Sequence, residues 1–397
     1  MKKDFNGILL FLFIFCVEMF PNGTNILKLI KLIFVVMVAV YILFIKKFAT
    51  DNVYSRWLFG ISLLSVLSYS WAASTAYALS GIQTVLLNSL CCFCVFQLII
   101  YNINWKIYIV NAVAFGAIAR FIYVFFQNGF SVFRGLRNIG IVTGYNAVGM
   151  ISGLGVAFCI IGKMLELNKK HKWNILLTIN IVICVFSMSR KAMIYLIVPL
   201  VILYIFSGNN ILKKLRNVII VLLSLIVGYY IVTKIPFLYN FIGKGLESIL
   251  QFMDNAAGDE SAAGRMTRIQ WGLTWFRKCP IYGYGIMNFN YLFSSVEKST
   301  AMIVADNNYI EMLVNFGIIG VTVYYFIFVR SIIFGIVSRF FMQKERIISM
   351  GILLAIIIGD FGSSSYIYLH SQLFLLIAIL LLYDNNKRNH IKHFKFG

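Results

Sequence analysis

Charged side chains are scarce in this sequence, 12% of 397 residues, about half the share of a soluble domain. With 60% apolar residues, that scarcity excludes an ordinary soluble fold and points to a polytopic membrane protein. Acidic residues are scarcer still: 14 Asp and Glu stand against 35 Lys and Arg, a formal net charge of +21. In a soluble chain such an excess suggests a nucleic-acid partner. In a membrane chain the positive-inside rule and anionic lipid account for it, so membrane lipid is expected as a partner and nucleic acid is not.

Other absences narrow the chemistry. Cys16, Cys91, Cys92, Cys94, Cys159 and Cys184 fall in apolar runs, where a thiol behaves as a small hydrophobe. Only Cys279 lies in a loop, so no external disulfide pair is available. No Cys/His spacing resembles a metal site, and neither metal nor cofactor is expected. The start MKKDFNGILLFLFIFCVEMF lacks a small-x-small cleavage site and reads as a retained first helix. No internal repeat stands out.

What is present is a series of apolar runs, at 6–20, 27–45, 57–73, 82–101, 107–126, 145–162, 174–188, 192–207, 217–233, 308–328, 348–361 and 366–383. Each is long enough to span a bilayer once tilt and polar ends are allowed for. The expected fold is an all-α polytopic membrane protein of about twelve transmembrane helices, forming a single integral membrane domain. Nine helices fall within 1–233, a large loop occupies 234–307, three helices fall within 308–383, and 384–397 form a basic tail. Connections assigned to the inner side, such as KKFATDNVYSR, KMLELNKKHKW and GNNILKKLR, are all basic, whereas PNGTN and GSSS carry no Lys or Arg. That bias puts both termini in the cytoplasm.

The loop, on the outer side, is far longer than a connection needs. PFLYNFIGKGLESILQFMDN within it reads as an amphipathic helix in the interface. DESAAGRMTRIQWGLTWFRK reads as a second helix, with Arg277 and Lys278 in its last turn, and CPIYGYG stops it. On a helical wheel Met266, Ile269, Leu273 and Phe276 share one face, and Arg265, Arg268 and Gly272 a neighbouring one. Two guanidinium forks beside a residue without a side chain form a shape that can hold an anion.

Further cations fall at the same level. Arg134 and Arg137 lie between the fifth and sixth runs, and Arg190 and Lys191 lie in the short turn SMSRKAM. Arg120 is inside the fifth run, where the cost of desolvating an ionisable residue makes it a functional candidate. Arginine offers planar, bidentate donors that suit phosphate oxygens and does not lose its charge. A group of them gathered by several helices suits a diphosphate. The plainer account is that they snorkel to headgroups or pair with Asp254, Asp259 and Glu260. At the end of the loop, in ADNNYIEMLVNFGIIG, Asp306, Asn307 and Asn308 can cap a helix whose first turn holds Glu311. Gly317 and Gly320 allow a close neighbour. Asp360 and His370 are further buried ionisable groups, most simply a structural polar pair.

Four stretches resemble the O-antigen ligase and polysaccharide polymerase family. GRMTRIQWGLTWFRKCPIYGYGIMNF resembles its arginine helix followed by Pro-x-x-Gly-x-Gly, and DNNYIEMLVNFGIIG its re-entry motif. TGYNAVG resembles its Asn-containing element and SMSRKAMIYL its Ser-Arg turn. The resemblance covers about residues 130–330 and implies glycosyl transfer from undecaprenyl-diphosphate-linked oligosaccharide on the outer face of a bacterial inner membrane. The family's ligases carry a His-Asn pair in the re-entry motif, and here Asp306 stands in the histidine's place. That favours the polymerase branch of O-antigen, capsule or exopolysaccharide pathways, with a chain-length regulator and a flippase as companions. In that scheme Arg190, Arg265 and Arg268 stabilise the diphosphate leaving group without a metal, and Asp306 is the candidate base. Arg120, Arg134, Arg137, Asn146, Lys191, Arg277, Asn307, Asp360 and His370 are candidate substrate contacts. An O-antigen ligase and a lipid-linked oligosaccharide flippase are the alternatives.

Overall fold

Each of the twelve expected runs coincides with a helix. The computed structural model describes residues 4–45, 52–136, 144–208, 210–236, 239, 243, 260–298, 303–337 and 343–383. Among them no strand is present. The helices are α1 (Phe5–Met19), α2 (Asn25–Ile45), α3 (Val53–Leu67), α4 (Thr75–Ile100), α5 (Trp105–Asn128), α6 (Tyr145–Leu165), α7 (Lys170–Phe186), α8 (Arg190–Phe206) and α9 (Ile211–Lys234). After them come α10 (Glu260–Lys278), α11 (Asn288–Glu297), α12 (Asn308–Val337), α13 (Lys344–Gly359) and α14 (Leu369–Tyr383). Six of the helical segments are long and apolar enough to cross a membrane: Asn25–Phe44, Thr75–Ile100, Trp105–Phe133, Tyr145–Leu165, Ile211–Lys234 and Asn308–Val337. The other six of the expected twelve have 15–17 residues, about 25 Å at 1.5 Å per residue, so the count of twelve spans rests on the sequence. The expected helix in 236–255 lies almost wholly outside the described residues.

Packing follows the distribution of apolar faces. Residues 369–382 of α14 are all buried, as a helix apolar all round must be, and α14 packs on α13, α4, α1 and α12. A second set, α1 on α5, α5 on α6, α6 on α7 and α8, and α8 on α13, continues outward. Small residues let α6 and α8 approach closely: a Cβ on Gly149 would lie 2.6 Å from Ala192 Cβ, and one on Gly153 2.8 Å from Ala192 O. By contrast α9 packs on α8 and buries only Asn217.

The loop after α10 is built into α12. At Gly317 the backbone leaves the helix (φ 65°, ψ −159°), which strips residues 314 and 315 of their usual donors and residues 318 and 319 of their usual acceptors. Residues 280–285 supply both. Tyr284 and Gly285 donate to Val314 O and Asn315 O, each at 2.8 Å, while Ile318 and Ile319 donate to Pro280 O and Ile281 O at 2.9 and 3.3 Å. A broken helix in an apolar layer needs such replacement, because an unpaired backbone group there costs several kcal/mol. Gly283 and Gly317 have φ of 67° and 65°, and a Cβ on Gly317 would meet Ile281 O at 2.3 Å.

Candidate functional site

The turn between α7 and α8 sets the first wall of the site. Ser189 caps α8, its Oγ accepting from Ala192 N–H at 3.4 Å, and the same hydroxyl donates to Asn146 Oδ1 at 2.7 Å. Met188 takes a left-handed conformation (φ 51°) to close this turn. Arg190 and Lys191 thereby stand in the first turn of α8, where the helix dipole adds to their attraction for an anion.

Helix α10 forms the second wall. Gly272 and Trp275 turn toward α12 and are buried there, with Ile269 part-buried beside them, while Leu273 is exposed. The buried face therefore runs through 268, 269, 272 and 275, one step round from the apolar face drawn on the wheel. Arg268 is committed to the chain through two of its three nitrogens: Nε donates to Gly264 O at 3.1 Å, and Nη1 donates to Val304 O at 2.9 Å and to Asp306 Oδ2 at 2.8 Å. Its side chain is 19% exposed and that of Asp306 31%, so this is a half-buried ion pair. One turn earlier Arg265 has neither hydrogen bond nor ion pair among the described residues, and its Nε is shut off from solvent without an acceptor. The two guanidiniums are thus unequal, one committed to the chain and one left over. Of the alternative partners, Asp254 and Asp259 lie outside the described residues, as does the side chain of Glu260.

The third wall comes from the segments around α12. Asn307, not Asp306, caps this helix, its Oδ1 accepting from Ile310 N–H at 3.1 Å. Asp306 sits at φ 52°, a costly conformation for a non-glycine residue, with its carboxylate turned to Arg268. Asp360 Oδ2 accepts from Tyr325 Oη at 2.8 Å and from Asn308 Nδ2 at 3.3 Å. Glu311, fully buried, accepts from Ser364 Oγ and from Tyr366 Oη. These bonds fasten residues 360–366 to the first turn of α12.

Lys191 reaches between the walls. Its stem lies against Gly362, where a Cβ would meet Lys191 Cε at 3.0 Å. The amine is within the fields of Arg265, Arg268, Asp306 and Asp360, and among the described residues no hydrogen bond or ion pair holds it.

The structure therefore gathers Lys191, Arg265, Arg268, Asp306 and Asp360 into one region, with Arg190 next to Lys191 in the first turn of α8 and Asn146 and Asn307 holding its turns. Other expected residues stand elsewhere. Arg120 is 2% exposed and donates to the backbone O of Glu18 at 3.3 Å. His370 Nδ1 accepts from Asn22 Nδ2 at 2.8 Å, and Lys31, a residue not expected from the sequence, donates to Asn88 Oδ1 at 2.9 Å. Arg277 lies on the exposed end of α10, about 18 Å from Arg265 along the axis. The backbone of Arg134 closes a 3₁₀ turn, Gly129–Arg134, and Arg137 lies outside the described residues. Three residues of the site, Ser189, Tyr325 and Glu311, are not among those expected from the sequence. Ser189 is legible as a cap before Arg190; Tyr325 has no local signal.

Residues 175–325 match the family model described as O-antigen ligase. The match runs from α7 into α12 and contains Arg190, Lys191, Arg265, Arg268, Asp306 and Asn307; Arg120, Asn146, Asp360 and His370 fall outside it. No curated protein matches the chain. The resemblance read from the motifs is thus found again over this stretch. At the coarse level it supports a glycosyltransferase-like enzyme in a multi-pass membrane frame.

Proposed function

We propose that this protein is a polysaccharide polymerase that joins undecaprenyl-diphosphate-linked oligosaccharide repeat units on the outer face of the bacterial inner membrane, with both termini in the cytoplasm and residues 234–307 outside. The observation that carries the proposal is the convergence of Arg265, Lys191 and the first turn of α8 within the matched residues, where two of the cations have no protein partner among the described residues. An unanswered arginine and lysine at a helix N-terminus suit the oxygens of a diphosphate.

In this reading a growing glycan presents its anomeric carbon, and the hydroxyl of a second lipid-linked unit attacks it. The bond from that carbon to the diphosphate oxygen breaks, and the electron pair stays on undecaprenyl diphosphate. Arg190 and Arg265 stabilise the charge that develops there, positioned in advance and part-buried, where such stabilisation is strongest. Arg268 adds to the field while holding Val304 and Asp306 in place. A chain-length regulator and a flippase of the same pathway are the proposed partners.

The family match suits a ligase equally well. Asp306 in the place of the ligases' histidine, and its commitment to Arg268, favour the polymerase. Purified protein in nanodiscs, given lipid-linked repeat units, is expected to yield a ladder of products on a gel. No ladder, from substrate that a second polymerase extends, overturns the proposal. A single transfer to a lipid A–core acceptor under the same conditions identifies a ligase, and translocation without bond formation a flippase.

A further inference from the structure

Two exposed tryptophans keep different company. Trp71 packs edge-on against Tyr282, ring centres 5.9 Å apart, and donates its N–H to Tyr282 O at 3.0 Å, with exposed Ile281 next to Tyr282 in the chain. Such apolar company suits a ring in the membrane interface. Trp271, on α10, is 38% exposed, and its neighbours along the exposed strip of the helix are Thr267, Gln270, Thr274 and Lys278. The hydroxyls of Thr267 and Thr274 donate to Ala263 O and Gln270 O at 3.1 and 2.9 Å, which leaves each oxygen able to accept. One face of Trp271 lies on Trp275, ring centres 5.7 Å apart and 27° from parallel. Trp275 is itself buried and held edge-on by Phe289 and Phe293, so the ring stacked on it is fixed, and its exposure falls on the opposite face and the edge. Trp57, Trp71 and Trp173 donate their N–H to chain acceptors; Trp271 Nε1 has none among the described residues.

We propose, on the glycosyl-transfer reading above, that Trp271 is a sugar-binding platform for the glycan of the lipid-linked substrate. A pyranose has a face made largely of C–H bonds, which suits the negative face of an aromatic ring. Its rim of hydroxyls suits the indole N–H and the polar side chains beside it. A ring already fixed by its neighbours loses little freedom on binding. Arg265, Arg268 and Trp271 follow one another at three-residue steps, each about 4.5 Å further along the axis and turned about 60° from the last. A short oligosaccharide that begins at a diphosphate held by Arg265 therefore reaches the indole. The contact is non-covalent and adds no step to the reaction; it holds the glycan beside the cations proposed for its leaving group.

Full-length protein in nanodiscs tests this with two probes: undecaprenyl diphosphate, and the oligosaccharide released from the lipid-linked repeat unit by mild acid. Trp271→Ala is expected to bind the oligosaccharide about 10-fold more weakly and undecaprenyl diphosphate as tightly as the wild type. Trp271→Tyr, which keeps a ring, is expected to lose about 3-fold. In ladder formation the Trp271→Ala loss is expected in KM for the lipid-linked unit, whereas a partly unfolded sample would lose kcat and keep KM. A second measurement places the ring. In nanodiscs of brominated phosphatidylcholine, the fluorescence difference between wild type and Trp271→Tyr is expected to match that in unbrominated discs. Quenching of that difference puts the indole in the bilayer and overturns the proposal. Equal oligosaccharide affinity in wild type and Trp271→Ala, or none in either, also overturns it, and a normal ladder from the same preparation leaves the transfer reading standing. If the wild type forms no ladder, both are removed.

Discussion

Two polar groups flank the segment Ser363–His370 and handle their cations in opposite ways. On one side Arg120, Lys31 and His370 are buried and each meets an internal acceptor or donor: the carbonyl of Glu18, Asn88 and Asn22 respectively. On the other side Lys191 and Arg265 are only part-buried and no internal partner holds them among the described residues. In the first arrangement each cation has at least one chain partner, although Arg120 Nε and both carboxylate oxygens of Glu18 are buried without one. The second leaves donors over, and a surplus of positive donors requires an anion from outside. Burial of an arginine, taken alone, therefore does not mark it as catalytic; a cation with no chain partner at all among the described residues is the more telling feature.

Substitutions can break this contrast. The largest effect on stability is expected for Arg120→Met, which removes the buried bond to Glu18 O and should cost about 2 kcal/mol, read as a lower melting temperature in detergent. Product formed per folded molecule should hold. Arg265→Ala should do the reverse, with a loss of about 100-fold in rate, the usual cost of removing one donor from a developing charge, at an unchanged melting temperature. If the two substitutions exchange these signatures, the contrast is wrong. A smaller effect sharpens it: in a double-mutant cycle, Arg268→Ala and Asp306→Ala should be coupled by about 1 kcal/mol, because each removes the same half-buried bond.

Much of the helical frame is legible in the amino-acid sequence alone. The run at 145–162 is α6, the one at 174–188 is α7, and the arginine helix of the loop is α10 almost residue for residue. Hydropathy averages over many side chains, so it survives local error. The bonds that shape the site do not average. Arg268 and Asp306 are 38 positions apart, and nothing local distinguishes that pairing from one with Asp254 or Asp259. Arg265 and Arg268 look equivalent on a wheel because a wheel shows direction and not neighbours. Gly317 reads as a thin place in α12; that it is a break filled by residues 280–285 depends on four backbone bonds between distant segments, which leave no trace in composition.

That interlock has a consequence for how the chain is made. During synthesis residues 280–285 emerge before Gly317, yet α12 cannot run continuously through Gly317 in its final form, so its two halves enter as separate helical pieces. The outer half, 308–316, has its last carbonyls satisfied only when the preceding loop returns to meet them. Joining of the two halves of α12 and closure of the loop are thereby a single event, and a ribosome-tethered chain ending just after α12 already contains every residue needed to complete it.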